Sequence, residues 1–317
     1  MDIIGIGTPI MDLVVNVDSM PQKDGATHAN EMFYQGGNKV PTAMVAAARL
    51  GWKAGLMGRV GRDRIGRFIL EDLEYNHVDI SRVLLDEEGR YSSCCLSLSE
   101  KETGTRVFIG RSSTVRPITP DLLDYDYLAT AKCIHLSEGD EGSAAAAAFG
   151  KEKGIPVSFD GDHYNKKIEA LIPQIDVFIG SEFFQRDLFG SLSMEESCRE
   201  IVKMGPHTAI FTLGKRGCVG YTQKEGFFAL PCFDNVTVVD TTGAGDVFHG
   251  AYIVAMLEGQ SAREACRFAS AVSAIKCTRI GGRTGIPTRP ILDRFLETGE
   301  IDGTELDERL AYYRTKF

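Results

Sequence analysis

The chain has 317 residues, 43% of them hydrophobic, and a formal net charge of −9. Length and apolar content suffice for one large α/β domain or two ordinary ones. The acidic balance excludes electrostatic attachment to nucleic acid or to an anionic membrane, since both need a basic face, so a bound phosphate has to be held by local geometry and a metal ion. Cys94 and Cys95 are adjacent, the other six cysteines are scattered singly and no C-x-x-C spacing occurs, which reads as free thiols in a reducing compartment. The N-terminus MDIIGIGTPIMD carries no basic stretch and no apolar run approaches spanning length, so a soluble cytoplasmic protein is expected.

In chain order, the apolar run Ile3–Ile6, closed by Gly7, predicts a buried parallel strand. The stretch from Leu13 to Tyr34 is not helical. Helical patterns follow over Thr42–Leu50 and Arg64–Tyr75, and then a second non-helical stretch, Arg90–Arg116, with alternating side chains. The helical patterns Ser143–Lys153 and Met194–Met204 interleave with short apolar runs at Val157–Phe159, Val177–Ile179 and Ala209–Leu213. Gly51, Gly154 and Gly205 stand where helices should end. This strand-helix alternation predicts a doubly wound α/β sheet. The two non-helical stretches, about 13–35 and 90–116, are expected to pair as antiparallel strands in a small lid over a pocket of a single domain, 1–317.

The most informative segment is Asp240-Thr-Thr-Gly-Ala-Gly-Asp246, followed by a helical pattern. A Gly-Ala-Gly turn at a helix start presents bare amides at the positive end of the dipole and suits an anion such as a transferring phosphoryl group. Asp246 then falls in the first turn beside that anion, although a carboxylate there also reads as a plain helix-terminus acid. Thr212-Leu-Gly-Lys-Arg-Gly217 is a second glycine cluster after a buried run. It lacks GxxxxGK[ST] and alone reads as ordinary turn chemistry. Gly5-Ile-Gly7 is not a dinucleotide fingerprint, since Ile10 stands where the third glycine belongs. Asp12 and Gly36-Gly37-Asn38 are placed to bring a carboxylate, backbone and an amide to one ligand, or serve as a turn acid and a helix cap.

Together these segments resemble the ribokinase-like (PfkB-type) carbohydrate kinases over nearly the whole chain. Gly36-Gly37 leading to Leu50-Gly51 is similar to the family's first motif, Gly58 to Gly66 to the segment after it, and Asp240–Asp246 to its second motif. The resemblance implies a three-layer domain with a central, mostly parallel sheet and a β lid that often forms a dimer interface. It implies ATP-dependent phosphorylation of a monosaccharide's primary hydroxyl, with magnesium. Asp246 becomes the base, and Gly243, Ala244 and Gly245 become the anion hole. Thr212, Gly214 and Gly217 lie along ATP, and Asp12, Gly36, Gly37 and Asn38 face the sugar. Asp240 and Thr242 fall at a monovalent cation (K+) site completed by Gly281–Gly285. On the lid, Arg106 and Arg111 either reach over the substrate or form a solvated strand face.

The chain departs from the family pattern at three places. At the Asn-x-x-Glu motif that organises magnesium's water shell it has Ser181 and Phe184, leaving Glu182 or Asp160 as candidates for that outer shell or as plain surface and strand-end acids. The motifs look closest to bacterial sulfofructose kinases, but Ala26, Gly110 and Glu138 replace the sulfonate-binding groups. Glu138 would repel a sulfonate, so a neutral or amine-bearing ketohexose or pentose is expected. Pro41 replaces an Asn that contacts sugar hydroxyls in many members. His163 and His249 lack a second metal ligand at suitable spacing. A nucleoside kinase, with Phe33, Tyr34 and Phe108 around the base, and a silent sugar or nucleotide sensor are the alternatives.

Overall fold

Helices cover both faces of the main sheet, which is why its strands read as unbroken apolar runs. The computed structural model describes residues 1–102 and 106–316. Its strands are β1 (Ile3–Ile6), β2 (Ile10–Val17), β3 (Ala29–Gly37), β4 (Ala54–Val60), β5 (Asp79–Leu85), β6 (Cys94–Glu100), β7 (Arg106–Arg111), β8 (Cys133–Leu136), β9 (Val157–Gly161), β10 (Val177–Ser181), β11 (Thr208–Thr212), β12 (Cys218–Thr222) and β13 (Gly226–Leu230). Nine of them form one sheet in the order β13-β12-β11-β10-β9-β8-β1-β4-β5, parallel from β11 to β5 with an antiparallel edge at β12 and β13.

Successive side chains of a strand point to opposite faces. Ile3, Ile179 and Ile210 therefore pack with the helices Lys39–Arg49, Ala244–Leu257 and Ala262–Lys276 through Ala43, Ala251 and Val272. Ile4, Phe178 and Phe211 pack on the other side with the helices Glu141–Lys153 and Met194–Met204 through Ala146, Ala147 and Ile201. The first helix starts three residues before the predicted Thr42 because Asn38 caps it, its side chain accepting from the Lys39 amide, and Pro41 is tolerated in a first turn.

The two stretches read as lid strands lie in a second sheet, β3-β2-β6-β7. They are not antiparallel throughout: β2–β3 and β6–β7 are antiparallel, but β2 meets β6 in parallel. Paired residues share a face, so Asp12 stands level with Cys95 and Gly110, and Asn16 with Ser99 and Arg106. Val14, on the Asp12 face, packs with Ile280 and Tyr313 of the main body.

Candidate active site

The strand order reverses between β1 and β8, whose carboxyl ends open a crevice of the kind that binds ligands in α/β sheets. Thr8 follows β1 and Glu138 follows β8, Asp160 ends β9, and Thr212 ends β11. The Asn38 amide donates to the Thr8 carbonyl at 2.7 Å and so ties the first-motif turn to this edge.

Gly243, at φ +73°, turns the chain into the helix Ala244–Leu257. The Ala244 amide is already bonded to the Thr241 carbonyl at 3.2 Å. The amides of Gly245 and Asp246 have no protein acceptor among the described residues, and the space over Gly245 is open. Of the residues expected in the anion hole, Ala244 has its amide engaged in its own turn, whereas the Gly245 amide is not. Burial pushes the Asp246 carboxyl up to about 6; Asp160 and Asp162 add to this, while His249 and Lys39 oppose it.

Asp12 faces the same crevice from the lid. Burial pushes its carboxyl up to about 7, Arg283 pulls it down, and Asp246 and Asp72 push it up. A side chain on Gly37 would run into the Asp12 carboxylate and one on Gly36 into Arg283, so both positions are bare to let these charged groups approach the backbone. Arg283, 1% exposed, donates to Asp72, to Thr42 Oγ1 at 3.2 Å and to the Gly37 carbonyl at 3.2 Å, and its amide donates to Gln35 Oε1 at 2.9 Å.

The sequence matches the pfkB family carbohydrate kinase profile over residues 2–289. The chain belongs to the pfkB family of carbohydrate kinases. Two curated relatives are a 5-dehydro-2-deoxygluconokinase of Geobacillus kaustophilus, 26% identical over 94% of each chain, and a nucleoside kinase of Methanothermobacter thermautotrophicus, 25% identical over 90% of this chain and 92% of its own. Among solved structures, a ribokinase of Thermotoga maritima superposes with a TM-score of 0.80 at 25% identity, over 94% of this chain and 99% of its own. The protein is an ATP-dependent phosphotransferase of the sugar-kinase type, with a ribokinase-like fold, and kinases of this type use ATP with magnesium. No helix among the described residues is long and apolar enough to cross a membrane.

In this kinase Thr212 closes β11, and Gly214 and Gly217, at φ +56° and +87°, bracket the turn that leads to β12. Glu182 pairs with Arg216 of that same turn, both side chains partly exposed. Ser181 caps the helix Glu182–Phe189 and Phe184 is fully buried, so neither stands in for the missing motif. Asp160 is turned inward to His249 Nε2 at 3.3 Å. Arg106 pairs with Ser99, four residues along β7 from the Gly110 that is level with Asp12, and lies over the Phe108 ring. Arg111 stacks on Tyr91 at 3.8 Å.

The sequence alone does not single out Lys39, Asp162 or Arg283, and it presents His249 only as a metal ligand without partners. Lys39 Nζ lies 3.6 Å from Glu138. Burial works against its charge, yet Asp160, Glu138, Asp162 and Asp246 together raise its pKa. His249 sits one turn along the helix from Asp246, a spacing visible in the sequence, but its partner Asp160 lies 89 residues away, a separation given by 249 minus 160. Arg283 lies in the terminal glycine loop, and nothing local marks it as buried.

Proposed function

We propose that this kinase transfers the γ-phosphoryl group of ATP to a primary hydroxyl of a neutral or amine-bearing monosaccharide, a ketohexose or pentose in furanose form. The observation that carries this reading is the charge of the crevice. Asp12, Glu138, Asp160, Asp162 and Asp246 gather there, with Lys39 among them. An anionic acceptor would meet net repulsion, whereas hydroxyls and amines find acceptors. Lys39 shares the charge of Glu138, so the selectivity belongs to the cluster and not to Glu138 alone.

Asp12, Gly36, Gly37 and Asn38 hold and orient the sugar. Asp246 takes the proton from the attacking hydroxyl late in the transfer, when a loose transition state has made that hydroxyl acidic. The Gly245 and Asp246 amides hold the developing negative charge, and the Gly214–Gly217 turn lies along the nucleotide. Magnesium, when bound, neutralises and orients the phosphates. Asp162, partly exposed at the end of β9 and near Asp246, is the acid placed to hold its water shell. The nucleoside reading keeps one of its three aromatics: Phe33 is buried against Tyr313 and Tyr34 meets Phe68, but Phe108 is 55% exposed on the Asp12 face.

The test is ADP release with Mg-ATP over a panel of neutral ketoses, aldoses, amino sugars, sugar acids, sulfofructose and nucleosides. Turnover with a neutral or amino sugar is expected, with Glu138→Gln narrowing the preference for it over the acids by about tenfold. Turnover confined to an acid or a nucleoside would overturn the substrate class. We also propose that two copies pair through the lid. Edge strand β7 exposes Val107, Phe108 and Ile109 by 42, 55 and 61%, an apolar edge that invites a partner strand. Light scattering should give a dimer mass that Ile109→Lys halves. A concentration-independent monomer would refute the pairing.

A further inference from the structure

Asp240 lies in the second motif where the resemblance to ribokinase-like enzymes implies a monovalent cation, and its own surroundings test whether such an ion fits. Its carboxylate accepts from the Thr242 amide through one oxygen and from the Gly281 amide through the other, each at 2.8 Å. Its carbonyl accepts from Lys276 Nζ at 2.9 Å. Lys276 is the last residue of the helix Ala262–Lys276 and is fully buried. A buried ammonium needs a compensating anion, and the acid that Lys276 reaches is Asp240, through that residue's carbonyl rather than by an ion pair with its carboxylate. A further monovalent ion at Asp240 would meet the Lys276 ammonium already bonded there. Both Asp240 carboxylate oxygens are engaged by amides and its carbonyl is taken by Lys276 Nζ, so the oxygens that a monovalent ion would draw on at this residue are already occupied.

We propose that Lys276 is the built-in monovalent cation of this kinase, its ammonium supplying at Asp240 the charge that potassium would otherwise bring, so that the enzyme works without added potassium. Asp240 in turn fixes Thr242 and Gly281, the residues immediately before Gly243 and before its packing partner Gly282. The Lys276 charge therefore supports the shape of the turn that presents the Gly245 and Asp246 amides.

The inference rests on the kinase reading for its activity arm but not for its stability arm. The full-length protein, freed of potassium, is melted in KCl and in choline chloride at equal ionic strength, about 0.1 M. Equal melting temperatures are expected, and a saturable rise with potassium overturns the proposal. ADP release with the acceptor found by the panel should differ by less than about twofold between the two salts, and activation of about tenfold or more overturns it. In Lys276→Ala the cation is gone and Asp240 is left uncompensated, so potassium should now raise the melting temperature and restore turnover. A folded Lys276→Ala protein indifferent to potassium would show that Lys276 does not fill this role. If that variant does not fold, the two wild-type comparisons still decide. Silence across the acceptor panel with potassium-indifferent melting would sink the substrate reading and leave this one standing.

Discussion

Asp246→Asn should fold, bind Mg-ATP and lose turnover by on the order of 10³-fold, within the range that a positioned general base contributes. The variant keeps the side chain's size and the helix start, so the loss reports the missing base rather than a disturbed turn. As the proposed base, the same residue should set the acid limb of the wild-type pH profile. Its carboxyl is pushed up to about 6 by burial, with Asp160 adding to the effect, and it acts only when ionised. The acceptor's kcat/KM should therefore fall with decreasing pH below about 6. The linkage to stability has the opposite sense. Between the unfolded value, about 3.9, and the folded one, the native protein binds the extra proton, so this group's contribution to stability falls as pH rises through that window. At pH 7 Asp246→Asn should then be more stable than the wild type by about 1–2 kcal/mol, allowing for screening by cleft water, because it removes a desolvated charge. Full turnover in the variant would refute the role of Asp246, and a loss of stability would show that the carboxylate supports the fold instead.

Arg283→Met should destabilise the protein by about 3–5 kcal/mol, because it leaves the Asp72 carboxylate buried and unpaired. The guanidinium also serves Thr42 and the Gly37 carbonyl, and the Arg283 carbonyl accepts from Arg309 Nη2 at 3.0 Å. One side chain thus staples the terminal glycine loop to the first-motif turn and to two helices. For a chain of this size the loss corresponds to a melting temperature lower by about 10 °C. Pairing it with Asp72→Leu should recover much of the loss, since replacing both partners of a buried ion pair is far less damaging than removing one. At temperatures where Arg283→Met is still folded, the acceptor KM should rise, because Gly37 and Asp12 lose their backing. A single variant within about 1 kcal/mol of the wild type would show that water or another group already satisfies Asp72.

Much of this protein was legible before its chain was folded. Continuous apolar runs such as Val177–Ile179, separated by helical patterns with glycines after them, specify parallel strands covered on both sides. The second motif was equally plain, because a helix start that must admit an anion requires small residues and a carboxylate in consecutive positions, and such a requirement is written locally. The lid's existence could be read from alternating side chains. The parallel meeting of β2 and β6 could not, since strand pairing across some eighty residues leaves no trace in either strand alone.

Tertiary contact alone decided the charges. Glu138 reads from the chain as a lone acid, but folding sets the Lys39 ammonium 3.6 Å from it. His249 is one turn from Asp246 by spacing, yet its effect on that residue depends on Asp160 arriving at the end of a different strand. Glu182 reads as a candidate metal-shell acid, and folding adds the Arg216 guanidinium beside its carboxylate. Lys276 is a helix-end lysine that nothing in the sequence marks as buried, and folding encloses it against the Asp240 carbonyl. The reason is common to all four: backbone geometry is set by neighbours in sequence, whereas the state of an ionisable group is set by burial and by charges a few ångströms away, which the fold gathers from distant parts of the chain.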